Sequence, residues 1–324
     1  MDSKTFRRTG PDQLEGSRGS SIPGGPREAI GIKPLVPGMR WLLVVAAVLV
    51  LLAGFQLFVF TGRTATYFAW TIANPLGAAF LGAGYWASVS IEALSGRQRA
   101  WANARIAVPA VFVFTVLTLV ATLLNLGQFH FGASHAAGTR IVTVAWIAIY
   151  ILVPLLMLIV LAVQARAPGA DPPRSAGLPA WIYAVLAVQA IVLLGFGVAL
   201  FAVPAHAATL WPWKLTTLLA QATGAWLISL GVAAAHALLE RDARRLRPAA
   251  VGYVLLAVLQ SIALARYPDR FAWHSASGII YLIFLASMLL TGVVWLARGR
   301  SRNDSTADDP AALSADEAKD SRHV

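Results

Sequence analysis

Eight long apolar runs dominate this sequence and restrict what the chain can fold into. They cover residues 41–61, 75–94, 106–126, 141–163, 178–203, 215–239, 249–265 and 274–297. Most of them reach the roughly 20 residues that a helix needs to cross a bilayer core of about 30 Å. The runs are continuously apolar and lack the alternation of a membrane barrel, so helices are predicted. The sequence therefore predicts an all-α polytopic membrane protein with eight transmembrane helices.

The composition agrees with a membrane location and excludes several kinds of chemistry. The chain is 58% hydrophobic and 13% charged, whereas a soluble domain is about half apolar and about a quarter charged. It has no cysteine, which excludes disulfides, thiolate metal sites and cysteine nucleophiles. A phosphate-binding loop, a dinucleotide fingerprint, a metalloprotease helix and a nucleophile elbow are absent from the sequence. We therefore expect no metal and no cofactor.

The polar segments divide the chain into two helical units and two tails. Residues 1–40 and 298–324 are polar and are predicted to be disordered cytoplasmic tails. Between them lie a first four-helix unit, 41–163, a cytoplasmic linker, 164–177, and a second four-helix unit, 178–297. A signal peptide is the alternative for the first run, but that run is longer than a signal-peptide core and follows a long polar segment.

The basic residues predict the orientation. With the amino terminus inside, only five of the 26 Lys and Arg residues fall outside, namely Arg63, Arg140, Lys214, Arg266 and Arg270. Because cytoplasmic loops of membrane proteins carry the excess of Lys and Arg, both termini are predicted to be cytoplasmic, in the plasma membrane. The same asymmetry explains the net charge of +11 without a nucleic-acid partner. The Ala-rich and Arg-rich composition favours a bacterial origin.

The second half of the chain repeats the first at a shift of 142 residues. Ala78-x-x-x-Gly82 falls on Ala220-x-x-x-Gly224, and one residue of gap away the aromatic segments before these helices also match. Small residues one turn apart let a neighbouring backbone approach closely, so these two helices are predicted to be the central packing elements. The alternative is that Ala and Gly are simply common in long apolar helices. Four helices is an even number, so the two copies are predicted to be parallel.

Aromatic and polar residues cluster in the predicted outer loops, at 67–75 and 210–217 and in the loops joining the third helix to the fourth and the seventh to the eighth. The candidate outer-face residues are Trp70, Asn74, Phe129, His130, Trp211, Trp213, Asp269, Arg270, Trp273 and His274. They have two interpretations: an interfacial aromatic belt with helix caps at Asn74 and Thr216 or Thr217, or segments that fold back over a cavity. His130 and His274 could also act as ligands, acids or bases.

Inside the apolar runs the polar groups are mostly uncharged. Gln221, Gln260 and His236 are the candidate intramembrane polar residues, and Glu92 lies at the predicted cytoplasmic end of its helix. Proton-coupled pumps normally place an ionisable group near the midplane, which is not expected in this chain.

Three short motifs resemble recurring features of an uncharacterised group of actinobacterial multi-pass membrane proteins. They are Trp-Pro-Trp-x-Leu-Thr at 211–216, Phe-His-Phe at 129–131 with Arg-Phe-x-Trp at 270–273, and Phe-Ala-Trp…Asn-Pro-Leu at 68–76. The resemblance covers residues 40–297. It implies a family without an established activity, and so it implies no mechanism.

Three functions remain open on the sequence. The first is transport or binding of a neutral or lipid-like small molecule between the two units. The second is an accessory or scaffold protein that binds another membrane protein or a lipid. The third is a membrane enzyme that uses Asp269, His274 and His130, and this requires those groups to converge. A polar cavity lined by Gln221 and Gln260 would favour transport.

Overall fold

The structure, a computed structural model, describes residues 31–174 and 177–307, with residues 298–307 described by backbone alone. The tails predicted over 1–30 and 308–324 lie outside these residues. The described chain is all-helical. Its long helices are α1 Pro37–Val59, α2 Pro75–Gly96, α3 Ala107–Leu124, α4 Ala137–Arg166, α5 Ala180–Ala202, α6 Thr217–Glu240, α7 Arg247–Arg266 and α8 Ala276–Ala307.

Seven of these helices in the described residues are long and apolar enough to cross a membrane. The all-helical membrane architecture is therefore as predicted, whereas the count of eight spans is not confirmed. The exception is α2, in which Gly, Ala, Ser and Glu92 stand in place of larger apolar residues and lower its hydropathy. This helix is also buried along almost its whole length, so most of its side chains contact other helices.

Helices α2 and α6 lie at the centre of the bundle. α2 packs mainly on α1 and α7, and α6 packs mainly on α5 and α3. Ala78 and Ala220 are fully buried. A methyl group at Gly82 would lie 2.5 Å from the backbone nitrogen of Phe58, and one at Gly224 would lie 2.6 Å from the carbonyl oxygen of Gly197. The two glycines singled out in the sequence thus lie where two helix backbones are in direct contact.

The starts of both central helices are capped by side chains. The Asn74 side chain accepts a hydrogen bond from the Leu76 amide at 3.1 Å, and Pro75 follows at the first helical position. The Thr216 hydroxyl accepts from the Leu219 amide at 3.3 Å. Each cap satisfies an amide that has no partner within its helix.

One end of the bundle, which we call the basic end, consists of residues 31–36, 97–106, 167–174 and 241–246. The sequence predicts that residues 31–40 belong to the disordered tail, but in the structure they pack against the bundle. The Lys33 amide donates to the Ala170 carbonyl at 2.9 Å, and the Leu35 amide donates to the Arg99 carbonyl at 2.8 Å. Leu35 is buried, and α1 already begins at Pro37. This segment is held in place by backbone hydrogen bonds to two loops. Such bonds do not require an apolar periodicity, so the sequence pattern does not reveal them.

The opposite end, which we call the aromatic end, consists of residues 60–74, 125–136, 203–216 and 267–275. An extended segment after a one-turn helix leads into each central helix. The His130 amide donates to the Ala69 carbonyl at 3.1 Å, and the Ala272 amide donates to the Pro212 carbonyl at 3.0 Å. In each half the loop before the fourth helix is thereby attached to the segment before the second.

Candidate functional site

Trp70 and Phe129 lie inside the aromatic end of the first half, where they are buried with Phe68 and Trp146. The Trp70 ring lies 4.6 Å from Phe68, 5.3 Å from Phe129 and 5.0 Å from Trp146, measured between ring centroids. Tilted and edge-to-face pairs at these distances are favourable beyond their buried area. The cluster closes the aromatic end of the first half with packed rings.

Trp211 and Trp213 belong to a second ring cluster, in the half of the chain after the linker. Their centroids lie 5.0 Å apart, and Trp213 lies 5.3 Å from Tyr281. Phe80 of α2 contacts both tryptophans at 5.6 Å. A residue of the first half therefore completes the ring cluster of the second.

The burial of these tryptophans argues against an aromatic belt, in which the polar edge of the ring reaches the headgroup region. The indole nitrogens of Trp70, Trp211 and Trp213 are enclosed and have no hydrogen-bond acceptor among the described residues. The segments before α2 and α6 are therefore packed inside the aromatic end of the bundle and do not have the exposed indole groups of interfacial anchors.

His130 is a buried residue with both ring nitrogens engaged. Its Nδ1–H donates to the Phe68 carbonyl at 3.0 Å, which leaves Nε2 to accept from the Thr71 hydroxyl at 2.9 Å. Burial lowers the pKa of His130, and the neighbouring His135 ring adds to this effect, while the bond to the Phe68 carbonyl opposes it. The neutral imidazole ties two loops together, which is a structural role.

The remaining outer candidates do not converge into a site. Asp269, Arg270 and His274 are exposed, and within the described chain their side chains make no hydrogen bond or ion pair. Trp273 is half-exposed and donates from its indole nitrogen to the Pro268 carbonyl at 2.8 Å. Among the described residues, no hydrogen bond or ion pair links them to His130. The Asn74 amide instead donates to the Lys214 carbonyl at 3.1 Å, which joins the two capping segments.

Both intramembrane glutamines form hydrogen bonds with residues of neighbouring helices. Gln221 accepts from the Asn125 side chain at 2.6 Å. Gln260 donates to the Phe80 carbonyl at 3.1 Å and accepts from the Tyr281 hydroxyl at 3.2 Å. Gln260 lines a small apolar cavity of about 40 Å³, and Gln221 is not part of its wall.

The larger cavity, of about 100 Å³, lies elsewhere and joins the two halves of the chain. Its walls come from α1, α2, α3 and α4 of the first half and from α6 of the second, with Ala249 of α7. Aliphatic and aromatic side chains form nearly all of the surface. We call this space the central cavity.

One acidic group, Glu92, lies in the wall of the central cavity. Only 2% of Glu92 is exposed, and neither carboxylate oxygen has a hydrogen-bond or ionic partner in the described part of the chain. Tyr85 and Ser88, on the same face of α2, line the cavity beside it. The Tyr85 hydroxyl is bonded to that of Tyr150 on α4 at 2.6 Å.

An ion-pair cluster at the basic end contrasts with this isolated carboxyl. Glu240 binds Arg105 through two hydrogen bonds and Arg245 at 3.1 Å. Arg105 also binds Asp171 of the linker at 2.6 Å. His236 bonds Glu240 at 3.2 Å. The start of α3, the linker and the end of α6 are thus connected, and His236 is part of this structural cluster.

No protein-family model, curated protein or solved structure matches the chain. The resemblance to an actinobacterial family therefore stays a prediction.

The sequence alone does not predict the central cavity, because its walls come from five helices and one residue of a sixth. A signal for it was nevertheless present, because Glu92 is the one acidic residue inside an apolar run and Tyr85 precedes it by seven residues. That spacing puts the phenol and the carboxyl on one helix face. An ionisable residue within an apolar run of a membrane protein is itself a reason to expect a functional site.

Proposed function

We propose that this chain is a two-unit membrane protein that binds, and carries across or within the bilayer, a small and largely apolar molecule. The single observation behind this proposal is the central cavity, which has apolar walls contributed by both halves of the chain. Cavities with mainly apolar walls and a few polar groups are the usual sites for small molecules.

The parallel duplication belongs to the same proposal and is supported by repeated contacts. Gly82 meets the backbone of Phe58, and Gly224 meets that of Phe201. The amide bond from His130 to Ala69 has its counterpart in the second half, as described above. Each contact recurs at a shift of 142 or 143 residues, so the two halves use equivalent positions for equivalent contacts. Binding between parallel units is a known arrangement in transporters.

We also propose that α2 spans the membrane as the eighth helix. Its 22 residues correspond to about 33 Å at 1.5 Å per residue, enough for a bilayer core. Its lower hydropathy is expected of a helix that is surrounded by protein rather than lipid.

The proposed orientation puts the basic end in the cytoplasm and can be tested because the chain has no cysteine. Ser134 lies exposed at the aromatic end, and Arg174 lies exposed in the linker. In intact cells a membrane-impermeant maleimide should label Ser134→Cys, whereas Arg174→Cys should react only after permeabilisation. The reverse pattern would refute the orientation, and labelling of both or neither in intact cells would refute the placement of the two ends on opposite sides.

Binding in the central cavity can be tested with a small neutral probe. The purified full chain should melt at a higher temperature in the presence of tert-butanol, because a ligand that binds only the folded state stabilises it. Ala110→Leu places a larger side chain in the cavity wall and should abolish the shift. The matched control is Ala145→Leu on the exposed face of α4, which should keep it.

An equal response in the wild type and both variants would show that the probe acts through the detergent or the surface, and would refute the proposed function. The scaffold hypothesis would then be favoured, and a stable complex with another membrane protein would be its test. The enzyme hypothesis gains no support from hydrogen bonding, because no hydrogen bond or ion pair joins Asp269, His274 and His130 among the described residues.

A further inference from the structure

Glu92 is the feature of the central cavity that an apolar ligand does not explain. A carboxyl group enclosed without a hydrogen-bond donor is costly to bury, and more so in its charged form. No lysine or arginine among the described residues lines the central cavity to neutralise it, and the Arg105 guanidinium is bound to Glu240 and Asp171. Unsatisfied buried groups of this kind call for a partner.

Aromatic rings surround the same space. Tyr85, Phe114, Trp146, Tyr150 and Trp226 all line it. They contact one another, with Phe114 at 4.2 Å from Trp226 and Trp146 at 4.5 Å from Tyr150 between ring centroids. Faces of aromatic rings attract cations, and cages of such rings are the usual binding sites for substituted ammonium groups.

A metal ion does not fit this chemistry. Hard cations such as Ca²⁺ require about six or more oxygen ligands, and the wall offers one carboxyl group beside carbon surfaces and a few hydroxyls. Soft metals would require thiolate or imidazole groups, and no group of three such residues with metal-binding geometry occurs in the described chain. The combination of one carboxyl group and several rings selects an organic cation.

The size of the cavity limits the occupant. It measures about 100 Å³, less than the roughly 150 Å³ of an engineered apolar cavity that takes up benzene. A small alkylammonium ion, or the ammonium head of a longer molecule, has the appropriate volume. A large polycyclic cation does not.

We propose that the central cavity binds a small organic cation, a substituted ammonium group with apolar substituents, and that Glu92 supplies the counter-charge. This inference rests on the proposed function and narrows it, because the carried molecule would be apolar in its substituents but would bear one positive charge.

The test compares two probes of similar size that differ in charge. Binding of tetramethylammonium and of tert-butanol to the purified full chain is measured by calorimetry and by the rise in melting temperature. The wild type should bind tetramethylammonium roughly tenfold or more tightly than tert-butanol, because a desolvated charge and cation–π contacts act only on the cation.

Glu92→Gln keeps the shape of the side chain and removes the charge. It should abolish the preference for the cation and leave tert-butanol binding intact, which also shows that the variant is folded. Asp269→Asn, at an exposed acid of the aromatic end, is the matched control and should change neither. Ala110→Leu should abolish the binding of both probes.

The outcomes separate the two proposals. If both probes bind equally to the wild type and Glu92→Gln changes nothing, the cation proposal is wrong while the proposed function stands. If neither probe binds in a way that Ala110→Leu abolishes, the proposed function itself fails. Should Glu92→Gln not fold, the comparison of the two probes on the wild type still decides the question.

Discussion

Replacing Gly224 with alanine should destabilise the bundle, because the new methyl group would enter the space of a neighbouring backbone. It would lie 2.6 Å from the carbonyl oxygen of Gly197 and 2.9 Å from the amide nitrogen of Phe201, both on α5. Backbone atoms cannot move away by changing rotamer. To restore an ordinary separation of about 3.5 Å, α5 and α6 would have to part by roughly 1 Å.

A matched glycine in the same pair of helices isolates this effect. Gly195 lies on α5, is exposed, and has nothing within 4 Å of an added methyl group. Both substitutions gain the same helix propensity, about 1 kcal/mol. The difference between the two variants is therefore the overpacking cost, which is about 1–3 kcal/mol for extra carbon in a packed core. Because the contact is with backbone, we expect a value in the upper half of that range.

The free energy of unfolding can be measured for both variants by titrating the folded protein in mild detergent with SDS and following tryptophan fluorescence. Gly82→Ala, at the equivalent contact of α2 with α1, should behave like Gly224→Ala. If Gly224→Ala proves as stable as Gly195→Ala, then α5 and α6 are not in backbone contact and the packing argument is refuted. Equal stability of the Gly82 and Gly195 variants would remove the equivalence between the two halves.

Three further predictions concern stability. Glu240→Gln should lower the free energy of unfolding by up to about 3–5 kcal/mol, because the buried Arg245 keeps only the more distant carboxylate of Asp171 as a counter-charge. A loss below about 1 kcal/mol in the SDS titration would contradict this prediction. The pKa of His130 is lowered in the fold, so its contribution to stability should be complete above the unfolded pKa near 6.5 and should decline as the pH falls from there toward the folded value. The melting temperature should therefore fall less between pH 8 and pH 5.5 in His130→Gln than in the wild type, and equal slopes would refute this. Asn74→Ala should lower the free energy of unfolding by about 1–2 kcal/mol and Thr216→Ala by about 1 kcal/mol, because both variants lose a helix cap and only Asn74 also binds the other half of the chain. A larger loss for Thr216→Ala than for Asn74→Ala in the same titration would contradict the argument.

Local signals explain which parts of the fold could be predicted from the sequence. The helices follow from apolar runs, and the caps at Asn74 and Thr216 follow from side chains whose role is decided within three residues. The close contacts at Gly82 and Gly224 follow from spacing on one helix face. Each of these inferences needs only the residues of one helix.

Long-range pairing explains what could not be predicted. Glu240 and Arg105 lie 135 residues apart in the chain, and no periodicity links them. Residues 31–36 belong to the predicted tail 1–40, and the backbone hydrogen bonds that join them to distant loops leave no pattern in the sequence. His130 was a candidate for chemistry because of its residue type, but its partners, the Phe68 carbonyl and the Thr71 hydroxyl, become visible only when two loops meet.

The helix that hydropathy identifies least well is also the one that carries the isolated carboxyl, and the two facts have one cause. In the proposed arrangement of eight spans, the hydropathy of a helix depends on its contact with lipid rather than on its depth in the membrane. A helix that contacts lipid must be apolar, because a charged group there is expensive, whereas a helix enclosed by protein can carry Ser, Gly and even Glu92. α2 and α6 are enclosed in this way, and α6 has the lowest hydropathy of the seven candidate spans. Polar residues on these two helices are therefore the ones that the fold shields and can use, and this is the reason to search for the binding site along α2 rather than in the exposed loops.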